Sequence, residues 1–208
     1  MTAQEKTEVK RRLIAGVTGA SGAIYALRFL KAALDLGIQV DLVVSDFGLR
    51  LLIEECDLNL KTESVGEWLD RTYGSARRTG TILRHSVHDL GAPIASGSQR
   101  WDGMVVIPCS MKTLSGIAHG HASNLIERAA DVTLKERRPL ILVPREAPLS
   151  LAHLENLRTA AAGGAAILPA MPAFYHKPRT IEDLADFIAG RALALLGIEH
   201  HLFAPWGG

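Results

Sequence analysis

Residues 13–36 read LIAGVTGASGAIYALRFLKAALDL, and this stretch decides the fold class. Leu13–Val17 is an apolar run ending in a Gly-rich turn, which reads as a buried strand. From Ser21 to Leu36 the spacing becomes helical. Ala23, Leu27, Leu30 and Leu34 form an apolar stripe, with Arg28, Lys31 and Asp35 on the other side. Gly37 stops this helix. A buried strand feeding an amphipathic helix is the first half of a parallel βαβ unit.

The alternation continues outward. Val40–Val44, Met104–Ile107, Leu140–Val143 and Ala166–Leu168 read as strands, with Pro108, Pro144 and Pro169 closing the last three. Helices are expected through Leu49–Ile53, Leu125–Lys135, Leu151–Ala161 and Ile181–Leu196; Gly163-Gly164 and Gly197 stop the last two. Residues 57–80 are polar and mixed and give no pattern. The reading is an α/β protein, a three-layer αβα arrangement around a mainly parallel sheet. One domain is expected over residues 1–208, with a flexible start at 1–11 and a tail at 198–208.

Composition narrows the function classes. The 208 residues carry a formal net charge of +1, so nothing global steers the chain to nucleic acid or to an acidic membrane surface. No apolar run reaches the roughly 20 residues that spanning needs, and the polar start MTAQEKTEVKRR does not read as a signal peptide. Cys56 and Cys109 form no CxxC pair, which points to a reducing, cytoplasmic setting and away from structural zinc. The histidines show no metal spacing: His119-x-His121 has no evident third ligand, and all eight are expected at the surface.

In folds of this class, ligands bind beyond the carboxyl ends of the strands. Those ends carry Thr18-Gly19-Ala20-Ser21-Gly22, then Ser45, then Pro108-Cys109-Ser110-Met111-Lys112-Thr113, then Pro144-Arg145-Glu146, and last a Pro-rich loop ending in Phe174-Tyr175-His176. Small, hydroxyl and charged residues thus converge on one edge. The TGASG turn opens a helix, whose free N–H groups and dipole suit an anion such as a phosphate. A plain turn with Ser21 as N-cap fits the same residues equally well. The glycines at 16, 19 and 22 do not make the dinucleotide GxGxxG, and no Tyr-x-x-x-Lys pair follows Tyr25, Tyr73 or Tyr175. Ser21 is not in a GxSxG elbow, which leaves serine hydrolysis without support.

Two further places carry charge where the pattern expects none. On the 125–135 helix, with Leu125, Ala129 and Val132 facing the core, Arg128 and Lys135 share one flank, roughly 10 Å apart along the axis. They could hold one phosphate, or form a solvated face with an Asp131–Lys135 pair. Arg191 lies at the edge of the stripe Ile181, Leu184, Ile188 and Leu195, as an anion ligand or a snorkelling arginine.

VTGASGAIYALRFL, GAPIASGS, VVIPCSMKTLSGIAHG, NLIERAADVTLKERRPLILVPREAPLS, HLENL and AAILPAMPAFYHKP together resemble the UbiX-type flavin prenyltransferases, from about Arg12 to Gly207. The resemblance implies a flavodoxin-like or Rossmann-like fold, a homododecamer, and a metal-independent reaction that joins dimethylallyl monophosphate to N5 and C6 of reduced FMN. The prenylated FMN would serve a UbiD-type decarboxylase. Carried over, FMN binding falls on Gly19, Ala20, Ser21, Ser45, Ser110, Met111, Lys112, Thr113 and Arg145. The prenyl phosphate falls to Arg128, Lys135, Arg145, Tyr175 and Arg191, with Tyr175 and Arg191 reaching in from a neighbouring subunit. Ser21, Glu55, Lys135 and Glu146 carry the catalytic roles. Two competing readings are an FMN-dependent cysteine decarboxylase and a non-catalytic flavin carrier.

Overall fold

The computed structural model describes residues 11–76, 78–204 and 206. Of the expected flexible start at 1–11, residues 1–10 lie outside the described residues, as do residues 205, 207 and 208 of the expected tail. Six strands are found among the described residues: β1 (Arg12–Val17), β2 (Gln39–Val44), β3 (Thr81–His85), β4 (Gly103–Cys109), β5 (Leu140–Pro144) and β6 (Ala166–Ile167). They form one parallel sheet in the order β3-β2-β1-β4-β5-β6. The chain works outward from β1 in one direction and returns to its other side through β4. The crevice at this reversal, between β1 and β4, is where such sheets bind ligands.

Seven helices flank the sheet among the described residues: α1 (Ala23–Asp35), α2 (Asp46–Cys56), α3 (Val65–Tyr73), α4 (Met111–Ala118), α5 (Leu125–Lys135), α6 (Leu151–Ala162) and α7 (Ile181–Leu195). One core joins α1, α7 and the buried residues of α2 and α3 to Leu13, Ala15, Val40 and Leu42. A second joins α4, α5 and Ala160 of α6 to the alternate sheet residues Ile14, Val43, Met104 and Val106. Because successive strand residues face opposite sides, the apolar runs serve both cores at once. This is the expected three-layer α/β arrangement.

The structure departs from the sequence reading at several points. α1 begins at Ala23, with Gly22 at its N-cap in the left-handed region (φ 108°) and no side-chain cap. A Cβ on Gly22 would lie 2.7 Å from the Tyr25 ring, so glycine is needed there on both counts. Pro108 does not end its strand: β4 runs on to Cys109, with a register irregularity between Val106 and Cys109. The polar 57–80 stretch holds α3, started by a Ser64/Glu67 capping box, and leads into β3, an edge strand with mostly exposed residues.

Arg28 is not on a solvated face. Helix α7 packs on α1 and presents Asp186, which Arg28 grips through Nε and Nη2 at 2.6 and 2.5 Å with both side chains nearly buried. His85 is likewise not at the surface. It joins the buried Asp41 carboxylate at 2.7 Å, and the Trp101 indole N–H donates to the same carboxylate at 2.8 Å. His176 is half-buried and stacks on Phe187. No described helix is long and apolar enough to cross a membrane.

Candidate active site

At the carboxyl end of β1 the chain turns through Thr18–Gly22 because Gly19 has no side chain. A Cβ there would fall 2.4 Å from Cβ of Phe47, so only glycine lets the first turn of α2 pass this close. Beyond β2, Ser45 caps α2 by accepting the Gly48 N–H at 3.1 Å, and its own N–H donates to the Val17 carbonyl. Beyond β4, Ser110 caps α4: its Oγ accepts the Thr113 N–H at 3.3 Å and lies 3.1 Å from the Thr113 hydroxyl. Buried Thr18 ties the turns together. It accepts the Ser110 N–H at 2.7 Å and donates to the Pro108 carbonyl at 2.9 Å.

These turns border one groove of about 630 Å³, lined by Gly19, Ser45, Ser110, Lys112 and Thr113 together with Asp46, Phe47, Val87, His88, Ser123, Asn124 and Glu127. Five of the nine expected flavin-binding residues therefore meet on one surface. Ala20 and Met111 are buried beside it. The first amides of α4, on Met111 and Lys112, make no hydrogen bond among the described residues, so the helix offers free donors and a positive dipole end with the Lys112 ammonium alongside. This is a ready anion site.

The start of α1 is different. Its first two N–H groups are taken, and not by Ser21: the Glu55 carboxylate, at the end of α2, accepts from Gly22 and Ala23 at 2.8 Å each. Arg145, at the end of β5, donates from Nε to the Ser21 carbonyl at 2.9 Å. Ser21, Glu55 and Arg145 thus form one cluster. Burial pushes the Glu55 carboxyl up. The Ala23 N–H, the Ser21 hydroxyl, the Gly22 N–H and the Arg145 charge outweigh it and hold its pKa below the ordinary value. Burial raises the Tyr25 phenol, opposed by Arg145. Glu146, one residue on, is exposed, and one of its oxygens accepts the Ala147 N–H at 3.0 Å.

Arg128 and Lys135 do share one flank of α5, and that flank faces the GAPIASGS segment. Arg128 donates to the Ala95 carbonyl at 3.2 Å and pairs with Asp131 at 2.8 Å; Lys135 pairs with Glu136 at 2.6 Å. The Asp131–Lys135 pair considered from spacing is replaced by these two. Gly97 leaves room for them, since a Cβ there would strike the Glu136 carboxylate. Tyr175 and Arg191 lie elsewhere. Tyr175 packs edge-on against Phe187 of α7 and Trp206, and Arg191 is exposed on α7 with no ion pair among the described residues. Helices α5 and α7 occupy opposite faces of the sheet. One chain therefore does not gather all five residues expected around the prenyl phosphate.

Two features escaped the sequence reading. Glu127 is buried at the groove, where one oxygen accepts the Ser123 N–H at 2.9 Å. The spacing Asn124-x-x-Glu127 was its signal, an N-cap with an acid at the third helical position. Thr18 stood out only as a strand-end hydroxyl; its tie to the end of β4 had no local signal, because its partners lie 90 and 92 residues away. Burial raises the Cys109 thiol to about 12 and, with Glu55 and Asp57 nearby, the Cys56 thiol to about 11, so neither is a thiolate at neutral pH. No group of three or more His, Cys, Asp or Glu among the described residues is placed to hold a metal ion.

Comparison with known proteins bears on this geometry. A family model described as Flavoprotein matches residues 1–193. A flavin prenyltransferase UbiX from Alkalihalophilus pseudofirmus is 47% identical over 199 residues, covering 96% of this chain and 98% of that one. Among solved structures, AnUbiX (PadA1), in complex with FMN and dimethylallyl pyrophosphate, superposes with a TM-score of 0.85 at 41% identity, covering 96% of this chain and 98% of that one. A dodecameric FMN-dependent UbiX-like decarboxylase from Escherichia coli O157:H7 gives 0.82 at 41% identity, covering 95% and 100%.

Proposed function

We propose, from the premise that this chain belongs to the flavoprotein family and within it to the UbiX-type flavin prenyltransferases, that it joins dimethylallyl monophosphate to reduced FMN and releases phosphate. The chain is an enzyme of the prenyltransferase class. The observation that carries the proposal is the strand-end groove with the free α4 amides at one end and the Ser21–Glu55–Arg145 cluster beside it. The fit to FMN rests on that donor set. Ser110, Thr113, Lys112 and the Met111 and Lys112 amides hold its phosphate, and Gly19, Ala20, Ser21, Ser45 and Arg145 border the rest.

When bound, the reduced flavin supplies the nucleophilic N5 and C6. The protein's own residues supply charge, proton paths and shelter from water. Arg145, Arg128 and Lys135 are the cations assigned to the departing phosphate by the family resemblance, and fixed cations favour the charge that develops there more than the ground state. Glu55, held ionised, keeps Ser21 and the start of α1 in place, so Ser21 can pass a proton at its hydroxyl. Glu146, exposed one residue beyond Arg145, is the acid–base group toward the leaving phosphate and the C6 proton. Tyr175 and Arg191 complete the site of a neighbouring subunit in a homododecamer, in keeping with their position across the sheet from α5. The product goes to a UbiD-type decarboxylase.

The test is anaerobic incubation of the protein with reduced FMN and dimethylallyl monophosphate, followed by flavin mass and free phosphate. The expected result is a flavin heavier by one prenyl unit, with one phosphate released per flavin. An unchanged flavin would overturn it: if a cysteinyl peptide were decarboxylated instead, the protein would be a cysteine decarboxylase, and a flavin bound but inert would make it a carrier.

A further inference from the structure

A second cavity, of about 660 Å³, lies along the outer edge of the sheet between β3, α3 and residues 60–66, and two of its lining cations, Lys61 and Arg84, have no carboxylate partner among the described residues. It shares no lining residue with the strand-end groove. Three cations border it, Lys61, Arg78 and Arg84, against two carboxylates, Glu63 and Asp70. Both carboxylates are engaged, Glu63 by Arg71 at 2.9 Å and Asp70 by Arg78. Lys61 makes no ion pair among the described residues, and Arg84 donates one N–H to the Leu60 carbonyl.

Arg78 is the sharpest feature. Its side chain is 9% exposed, yet Nε and Nη2 make no hydrogen bond among the described residues. In Arg28 the same edge grips both oxygens of Asp186. The Asp35 carboxylate stands 3.4 Å from Nε of Arg78 without lining up for a hydrogen bond, and its other oxygen holds Lys31. A buried guanidinium edge without an aligned hydrogen bond is costly even beside a carboxylate, and an incoming anion relieves that cost. The start of α3 adds to the field. Ser64 and Glu67 cap each other, while the amides of Val65 and Gly66, which line the cavity, make no hydrogen bond among the described residues.

We infer that this edge cavity is a second anion site, one that takes the phosphate group of a small molecule. A phosphate carries more negative charge and more acceptor oxygens than a carboxylate, which suits a wall lined by Lys61, Arg84 and the first two residues of α3. Arg78 lines the same cavity and adds its charge to the wall. The site does not depend on the flavin reading, since β3, α3 and the 60–66 segment contribute nothing to the strand-end groove.

Hydrogen–deuterium exchange on the FMN-loaded full chain tests it, with inorganic phosphate, glycerol phosphate as an ester, and chloride at matched ionic strength. The expected result is at least about threefold slower exchange in peptides over 64–67 and 78–84 with phosphate or its ester but not with chloride. That protection should vanish in Lys61→Ala/Arg84→Ala, two exposed positions, while FMN binding is retained. Protection by the ester alone would keep the site and assign it to phosphate esters. No protection, equal protection by chloride, or protection that survives in the double variant would overturn it. Slowing confined to 110–113 would report the strand-end groove and overturn it as well.

Discussion

Glu55→Ala removes the acceptor that the first two amides of α1 share, at 2.8 Å each. Fully buried, two hydrogen bonds to a charged group would be worth about 1.5–3 kcal/mol each. Glu55 is exposed, so water replaces part of what is lost, and the cost falls to that of a helix N-cap, about 1–2 kcal/mol. In a chain of this size each kcal/mol moves Tm by about 2–4 °C, so Tm should fall by about 2–8 °C. Glu55→Gln keeps an oxygen acceptor and loses only the charge beside the dipole, about 0.3–1 kcal/mol, or roughly 1–4 °C. The pH dependence has a definite sign. The folded pKa of Glu55 lies below its ordinary 4.5, so its carboxylate stabilises the fold fully above that value. The contribution fades as pH falls through the lower folded pKa. The Tm gap between parent and Glu55→Gln should therefore be constant from neutral pH down to about 4.5 and close in stronger acid. Scanning fluorimetry at fixed protein concentration measures it. Glu55→Ala melting with the parent at neutral pH, or a gap indifferent to acid, would refute the cap.

Glu146→Gln should leave FMN affinity unchanged and slow single-turnover prenylation by on the order of a hundredfold, the usual scale of lost acid–base help; a near-normal rate ends that role. Gly19→Ala, which drives a Cβ to 2.4 Å from Phe47, should weaken FMN binding by at least about tenfold, or roughly 1.4 kcal/mol, as read by flavin fluorescence titration. Normal affinity would mean that α2 gives way freely. Arg28→Ala strands a nearly buried Asp186 and should cost about 3–5 kcal/mol in denaturant unfolding, whereas Arg28→Met/Asp186→Leu should recover most of it; equal losses in both would show that the pair itself, not the stranded charge, sets the cost.

The strand ends could be read because their signal is local: a run of small and hydroxyl residues directly after an apolar strand. TGASG and CSMKT both lie where that reading placed them. Glu55 could be placed only through family resemblance, since nothing near residue 55 announces that it will cap a helix 32 residues earlier. The same holds for Asp41, whose partners His85 and Trp101 lie 44 and 60 residues on. Arg28 misled because a helix cut in half by its stripe has two flanks, and the sequence does not say that α7 will cover one of them. β3 was missed for a different reason: TILRH is an edge strand with little burial to impose alternation. α3 could have been found, because Ser64-x-x-Glu67 is a readable capping box.

The pairing of α1 with α7 has a consequence for how the chain is made. Arg28 and Asp186 are 158 residues apart, and translation at about 5–20 residues per second separates their appearance by roughly 8–30 seconds. Through that interval the nascent chain holds its first strands and the Ala/Leu face of α1 without the helix that will cover them. Until α7 arrives, Arg28 has no Asp186 to grip, and the first helix is completed by the last.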